Sequence, residues 1–310
     1  MARFYSRRFP GSHTQLPIKT EKIWWCIVSN ARIRLILFFT ALPLLVAIIL
    51  FLPYFHYGAF ALLCMGASGV AALELESMFR HRGIHLSKPI AFLLGIFGPL
   101  TAYIELWGGW PSSFSTALYV FFLAGLFACE IVKKSELEFS HSLPRMASYT
   151  FVTFYPGIFS SYAVRLTRFE EGGILVLVFL LATFMNDSFA WVFGMLFGRN
   201  NRNILVVSPN KSLMGFIFGF LASILAMALS AILFPRIFPF SLPSSILFGS
   251  IMGITTIMGD LVESVIKRSA AVKDSGSLIP GRGGLLDSID SPLFNAPIFF
   301  YLYQWFAGKF

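Results

Sequence analysis

Long, uninterrupted apolar runs alternate with short polar segments along this chain, and the runs dictate its architecture. Residues 35–55, 57–73, 89–106, 114–132, 146–162, 173–193, 215–234 and 246–262 each approach the ~20 apolar residues that cross ~30 Å of hydrocarbon as a helix. Residues 293–306 make a short ninth run. The runs are continuous, whereas a membrane β-barrel needs short segments of alternating polarity. The pattern therefore predicts an all-α, polytopic integral membrane protein of about nine transmembrane helices. It divides into a polar, basic tail (1–34), an N-terminal membrane region (35–162) and a C-terminal membrane region (163–310).

Composition agrees with that reading. The chain has 310 residues, 56% hydrophobic, with 36 phenylalanines, more apolar surface than a soluble domain can hide. Cys26, Cys64 and Cys129 are scattered, without disulfide or zinc spacing, and the five histidines lie outside the charged stretch described below. The net charge of +9 does not mark a nucleic-acid partner, because its distribution has a membrane explanation. If the tail is cytoplasmic, the tail and alternate loops carry 20 of the 24 lysines and arginines, as the positive-inside rule expects. Arg165, Arg168, Arg236 and Lys309 fall on the other side. The compact size and the lack of an obvious eukaryotic retention signal point to a bacterial plasma (inner) membrane. The pairs Gly194–Gly198 and Gly215–Gly219 permit close helix approach, most simply within one subunit and alternatively in a homodimer.

One stretch breaks the apolar pattern. Residues 259–291, GDLVESVIKRSAAVKDSGSLIPGRGGLLDSIDS, carry nine charges in a chain that is 13% charged. The positive-inside count places this stretch in the cytosol. If the eighth span continues as helix, Asp260, Glu263, Ser264 and Lys267 share one face, and carboxylates at a membrane boundary are expensive unless paired or ion-bound. The following segment has no helix or strand period. Its glycines free the backbone to turn N–H groups toward an anion, and Lys273 and Arg282 flank it as phosphate-binding cations. It leads to Asp287 and Asp290, hard oxygen donors that suit Mg²⁺. Cations for phosphate beside carboxylates for metal fit phosphoryl or nucleotidyl transfer. The chain contains no GxxxxGK[ST], so a P-loop is not the basis.

At these residues the chain resembles the phosphatidate cytidylyltransferases, or CDP-diacylglycerol synthases. Their signature, S-x-x-K-R…K-D-x-G…P-x-H-G-G-x-x-D-R-x-D, is matched at Ser264, Lys267, Arg268, Lys273, Asp274, Gly276, Ile279, Pro280, Gly283, Gly284, Asp287 and Asp290. The preceding GDLxES, the NDSFAWVFGMLFGR around Asp187 and the SPNKSLMG of 208–215 are also similar to the family. The resemblance is strong over about 187–292 and implies CMP transfer from CTP to phosphatidate with Mg²⁺, yielding CDP-diacylglycerol and pyrophosphate. It also makes a homodimer more expected. By the same analogy Asp260 and Asp287 hold the metal, with Asp290 as a further ligand; Asp274 is a further ligand or a supporting group. Lys267, Arg268 and Lys273 hold phosphates. Asp187, Ser208 and Lys211 complete the site, with Ser264, Arg282, Gly283 and Gly284 around the substrates. The acyl chains stay in the bilayer.

Three positions depart from the family pattern: Met214 for glutamate, Arg282 for histidine and Ser288 for arginine. They keep open a related CTP-using membrane enzyme acting on another lipid phosphate or a polyprenol, and an inactive paralogue. Arg282 is expected to replace the cation missing at 288. A transporter is disfavoured, because the charges concentrate in one loop and no inverted pair of broken helices is apparent.

Overall fold

A computed structural model describes residues 39–133 and 135–308. The tail of 1–34, with Cys26, and the first residues of the expected first span lie outside the described residues. Among the described residues every regular element is helical, and the one β-bridge, Ile279 with Gly283, is isolated.

In chain order the helices are α1 (Phe39–Phe51), α2 (Tyr54–His81), α3 (Lys88–Gly108), α4 (Ser113–Ala128), α5 (Glu136–Ser140) and α6 (Ser142–Val152). A π-helical turn (Thr153–Ile158) joins α6 to α7 (Phe159–Arg165), and a short 3₁₀ turn precedes α8 (Gly172–Phe197). Then come α9 (Leu213–Leu233), α10 (Leu242–Ser269) and α11 (Leu286–Ala307). Five of these, α2, α3, α8, α9 and α10, are long and apolar enough to cross a membrane; α1 and α4 are shorter apolar helices. Large apolar side chains such as Phe121, Leu62, Leu93 and Leu181 point outward from the bundle, which suits hydrocarbon rather than water. The protein is an integral membrane protein.

Local chemistry sets the helix ends. Pro89 occupies the first turn of α3, where its missing N–H costs nothing, and Gly109 closes the helix in the left-handed conformation at φ +64°. Ser212 caps α9 by accepting the Gly215 amide at 3.1 Å, and Ser241 caps α10 through the Ser244 amide. The fifth expected span is not one regular helix, because Pro156 removes a backbone donor and the chain takes a π turn there.

Small residues let the helices cross at backbone distance. A Cβ on Gly95 would come 2.5 Å from the Ser68 carbonyl, and one on Gly98 would overlap the Gly157 carbonyl outright. Ser68 Oγ reaches the carbonyls of Gly95 and Pro156, each at 2.6 Å, tying α2, α3 and the π turn together. Both GxxxG pairs act within this chain: a Cβ on Gly215 would meet the Ala190 carbonyl at 2.7 Å, and Gly194 faces Ser212 and Gly215. The core has two main clusters. Phe179, Phe248, Phe299 and Tyr303 join α8, α10 and α11. Leu75, Leu94, Tyr155, Leu286 and Leu293 join α2, α3, the π turn and α11.

The structure differs from the sequence expectation most at α11. Helix was expected from 293; it begins at Leu286 instead, so Asp287 and Asp290 stand on its first turns rather than in a loop. Side-chain caps from a distant helix make this possible.

Candidate active site

The site is assembled where α10, α11 and α2 meet the loops 199–212 and 270–285. Three groups of side chains build it.

The first is a carboxylate cluster. α10 runs unbroken past Asp260 to Ser269, so Asp260, Glu263, Ser264 and Lys267 do share one side of a helix. Carboxylate oxygens of Asp260, Glu263 and Asp290 lie within 4.8 Å of one another and could hold a metal ion. Glu263 is fully buried and neither of its oxygens has a hydrogen-bond partner, although Lys267 pairs with it as an ion. Asp290 is 7% exposed and accepts the Ser291 amide at 2.8 Å. Asp187, from α8, lies within electrostatic reach of Asp260 and Asp290 and receives the Ser291 hydroxyl at 3.4 Å. Like charges this close are tolerated only if a proton or a cation intervenes. One carboxylate oxygen from each of the three residues, with Glu263 engaged only by the Lys267 ion pair, fits a small divalent cation.

The second group is a frame around Asp287. One of its oxygens, Oδ2, accepts the amides of Ser275 and Gly284 and the Ser275 hydroxyl, all at 2.8 Å. The other, Oδ1, takes Lys267 Nζ at 2.6 Å. Burial alone would raise this carboxyl, but those hydrogen bonds from Lys267, Gly284 and Ser275 hold it below the ordinary carboxylate value. Asp287 therefore braces the loop and holds Lys267, while Glu263 is the carboxylate that stands with Asp260 and Asp290.

Glu74 completes the frame. It reaches across from α2 and accepts the amides of Leu285 and Leu286 and the Ser275 hydroxyl. Those amides are free donors at the start of α11, where a negative charge also meets the positive helix end. Space for this carboxylate comes from glycine. A Cβ on Gly276 would sit 2.7 Å from Glu74, and one on Gly284 would overlap both Glu74 and Ser275. Gly283, at φ +115°, turns the chain where a Cβ would come 2.5 Å from Asp287. In this structure the space at the Gly-Gly pair is filled by two carboxylates of the protein.

The third group is basic. Lys211 pairs with Asp260, and Lys267 bridges Glu263 and Asp287. Arg268 is exposed, with Nε 3.4 Å from the Val207 carbonyl, which ties the 199–212 loop to the end of α10. Ser208 lies in that loop, where its carbonyl accepts the Lys211 amide at 3.2 Å. Ser264 is buried on α10 beside Glu263. Lys273, Asp274 and Arg282 are exposed on the 270–285 loop. That loop is pinched shut by paired backbone hydrogen bonds between Ile279 and Gly283, at 2.8 and 3.0 Å.

Sequence reasoning did not single out Glu74, Ser275 or Ser291 and left Glu263 without a role. Only Glu74 had a visible signal: a carboxylate in the last turns of an apolar run needs a partner.

The family model for the cytidylyltransferase family matches residues 32–306. The chain belongs to the cytidylyltransferase family. It is 30% identical over 262 residues to a phosphatidate cytidylyltransferase of Staphylococcus haemolyticus, covering 83% of this chain and 95% of that one. It is 31% identical over 194 residues to a phosphatidate cytidylyltransferase of Thermotoga maritima, covering 62% of this chain and 70% of that one. It is 43% identical over 139 residues to Escherichia coli "Uncharacterized protein YnbB", covering 45% of each chain. The family match spans all three groups of site residues, and the protein is a nucleotidyltransferase enzyme.

Proposed function

We propose that this enzyme transfers CMP from CTP to phosphatidate at the cytoplasmic face of a bacterial plasma membrane. A cluster of three carboxylates, two of them buried, beside Lys211 and Lys267 and at the end of membrane-crossing helices, carries the reading. The relatives named phosphatidate cytidylyltransferase supply the acceptor. In the reaction a phosphate oxygen of phosphatidate attacks the α-phosphorus of CTP. The bond from that phosphorus to the β-bridging oxygen breaks, and pyrophosphate leaves. The attacking oxygen is already anionic, so no strong base is needed, and catalysis is positioning and charge neutralisation.

Mg²⁺ held by Asp260, Glu263 and Asp290 would neutralise phosphate charge. Lys211 and Lys267 are placed to exchange a carboxylate partner for a phosphate when substrate arrives. Asp287 and Glu74 keep the first turn of α11 in place, and with it Asp290. The distribution of lysine and arginine supports about nine spans with the site toward the cytosol. The acceptor phosphate then meets the site at the headgroup level, and its acyl chains stay in the bilayer.

Paired reactions with α- and γ-labelled CTP test the reaction class. Label from the α-position alone in the lipid product supports CMP transfer to phosphatidate. Label from the γ-position would mean a kinase, and α-label only with another lipid phosphate or a polyprenyl phosphate would reassign the acceptor.

A further inference from the structure

Tyr155 sits in the π turn of Thr153–Ile158, immediately before Pro156. The Phe159 amide bonds back to the Phe154 carbonyl, the wide spacing of a π turn, and such turns recur at functional sites. The ring of Tyr155 is held on two sides. It stacks on Phe151 at 5.6 Å and meets the edge of Phe159 at 6.0 Å. Phe159 in turn packs on Phe294 of α11, and Tyr155 shares one core with Leu286 and Leu293. The ring is thereby fixed against the first turns of α11, where Asp290 stands.

Packing accounts for the ring but not for the hydroxyl. Tyr155 is 3% exposed, and its hydroxyl is buried without a hydrogen-bond partner. A phenylalanine would fill the same space without a desolvated donor. The charges acting on this phenol are Asp290, Glu263 and Asp260, the same three that form the carboxylate cluster. Both Glu263 oxygens also lack hydrogen-bond partners. A buried hydroxyl without a hydrogen-bond partner thus stands within electrostatic reach of carboxylate oxygens engaged only by the Lys267 ion pair.

We propose that Tyr155 is a positioning residue for a hydrated divalent cation, its hydroxyl hydrogen-bonding a cation-bound water between the carboxylates and the π turn. The inference rests on reading the cluster as a cation site. Small divalent cations keep part of their water shell, and groups that orient the shell tune affinity. Cation-bound water donates hydrogen bonds, and the Tyr155 oxygen would accept one beside those taken by the carboxylates.

Mn²⁺ binding to the full-length, detergent-purified protein, followed by electron paramagnetic resonance, tests this without turnover. Tyr155→Phe removes only the hydroxyl. It is expected to weaken Mn²⁺ about tenfold, as loss of an outer-sphere partner does. The thermal unfolding midpoint should not fall, and in turnover kcat should drop while KM for CTP holds. Phe151→Leu disturbs the same ring stack without touching a polar group, and should leave Mn²⁺ affinity intact. An unchanged affinity in Tyr155→Phe, an equal loss in Phe151→Leu, or no Mn²⁺ binding by the parent protein would each overturn the proposal. Tight Mn²⁺ binding that depends on Tyr155, in a protein that fails to label phosphatidate, would uphold it and sink the proposed reaction instead.

Discussion

Glu74 accepts the backbone amide of Leu286 at 2.8 Å, and through that contact α2 fixes where α11 begins. Its other oxygen takes the Leu285 amide, also at 2.8 Å. The consequence is that Asp287 and Asp290 sit on a helix of defined start. Glu74→Ala leaves two helix-end donors without an acceptor, a loss of about 1–2 kcal/mol by analogy with lost N-caps. A lower unfolding midpoint in detergent, together with a larger loss of turnover, is the expected outcome. Unchanged turnover would mean that α11 does not need this cap.

The glycines at 276 and 284 make room for that carboxylate. Gly284→Ala places a methyl group on Glu74 and Ser275, and is expected to destabilise the protein and depress activity together. Gly125→Ala, in α4, has open space around it and removes a helix glycine, so it should be neutral or gain up to about 1 kcal/mol. Thermal unfolding of the two variants side by side checks the contrast.

Lys267 joins Glu263 to Asp287. Replacing it with methionine strips the counter-charge from two buried carboxylates, and losing one partner of a buried pair costs about 3–5 kcal/mol. Lys267→Met should therefore be poorly folded, whereas Lys267→Met with Glu263→Gln should recover stability but not activity. Circular dichroism melts separate these effects from turnover. Equal stability of single and double variants would argue against the bridge.

Lys211 belongs to a half-exposed pair with Asp260, where the contribution to stability is small, about 0–1 kcal/mol. Lys211→Gln is expected to keep the unfolding midpoint and raise KM for CTP. A fall in stability with unchanged KM would make Lys211 structural.

Much of this arrangement was legible in the chain because its signals are local. The run 89–106 became Lys88–Gly108, with Pro89 and Gly109 marking its ends, and 173–193 became Gly172–Phe197. The shared side of Asp260, Glu263, Ser264 and Lys267 needed only the helix period. What was not legible depends on chain distance. The early start of α11 rests on Glu74, some 211 residues upstream, which no local pattern announces. The division of labour between Glu263 and Asp287 follows from where the lysine bridge and the loop amides fall in space. The π turn arises from Pro156 inside an apolar run, where hydrophobicity alone reads as an unbroken span.

The most direct test of the central claim is incorporation of α-³²P-CTP into chloroform-soluble lipid by the purified protein with phosphatidate, comparing the parent protein and Asp290→Asn, with and without Mg²⁺. The account predicts Mg²⁺-dependent label from the parent protein and near-complete loss in a folded Asp290→Asn. Parent-level labelling by Asp290→Asn would remove the carboxylate cluster from the chemistry. No label from phosphatidate by the folded parent protein, at any Mg²⁺ concentration, would contradict the proposed reaction itself.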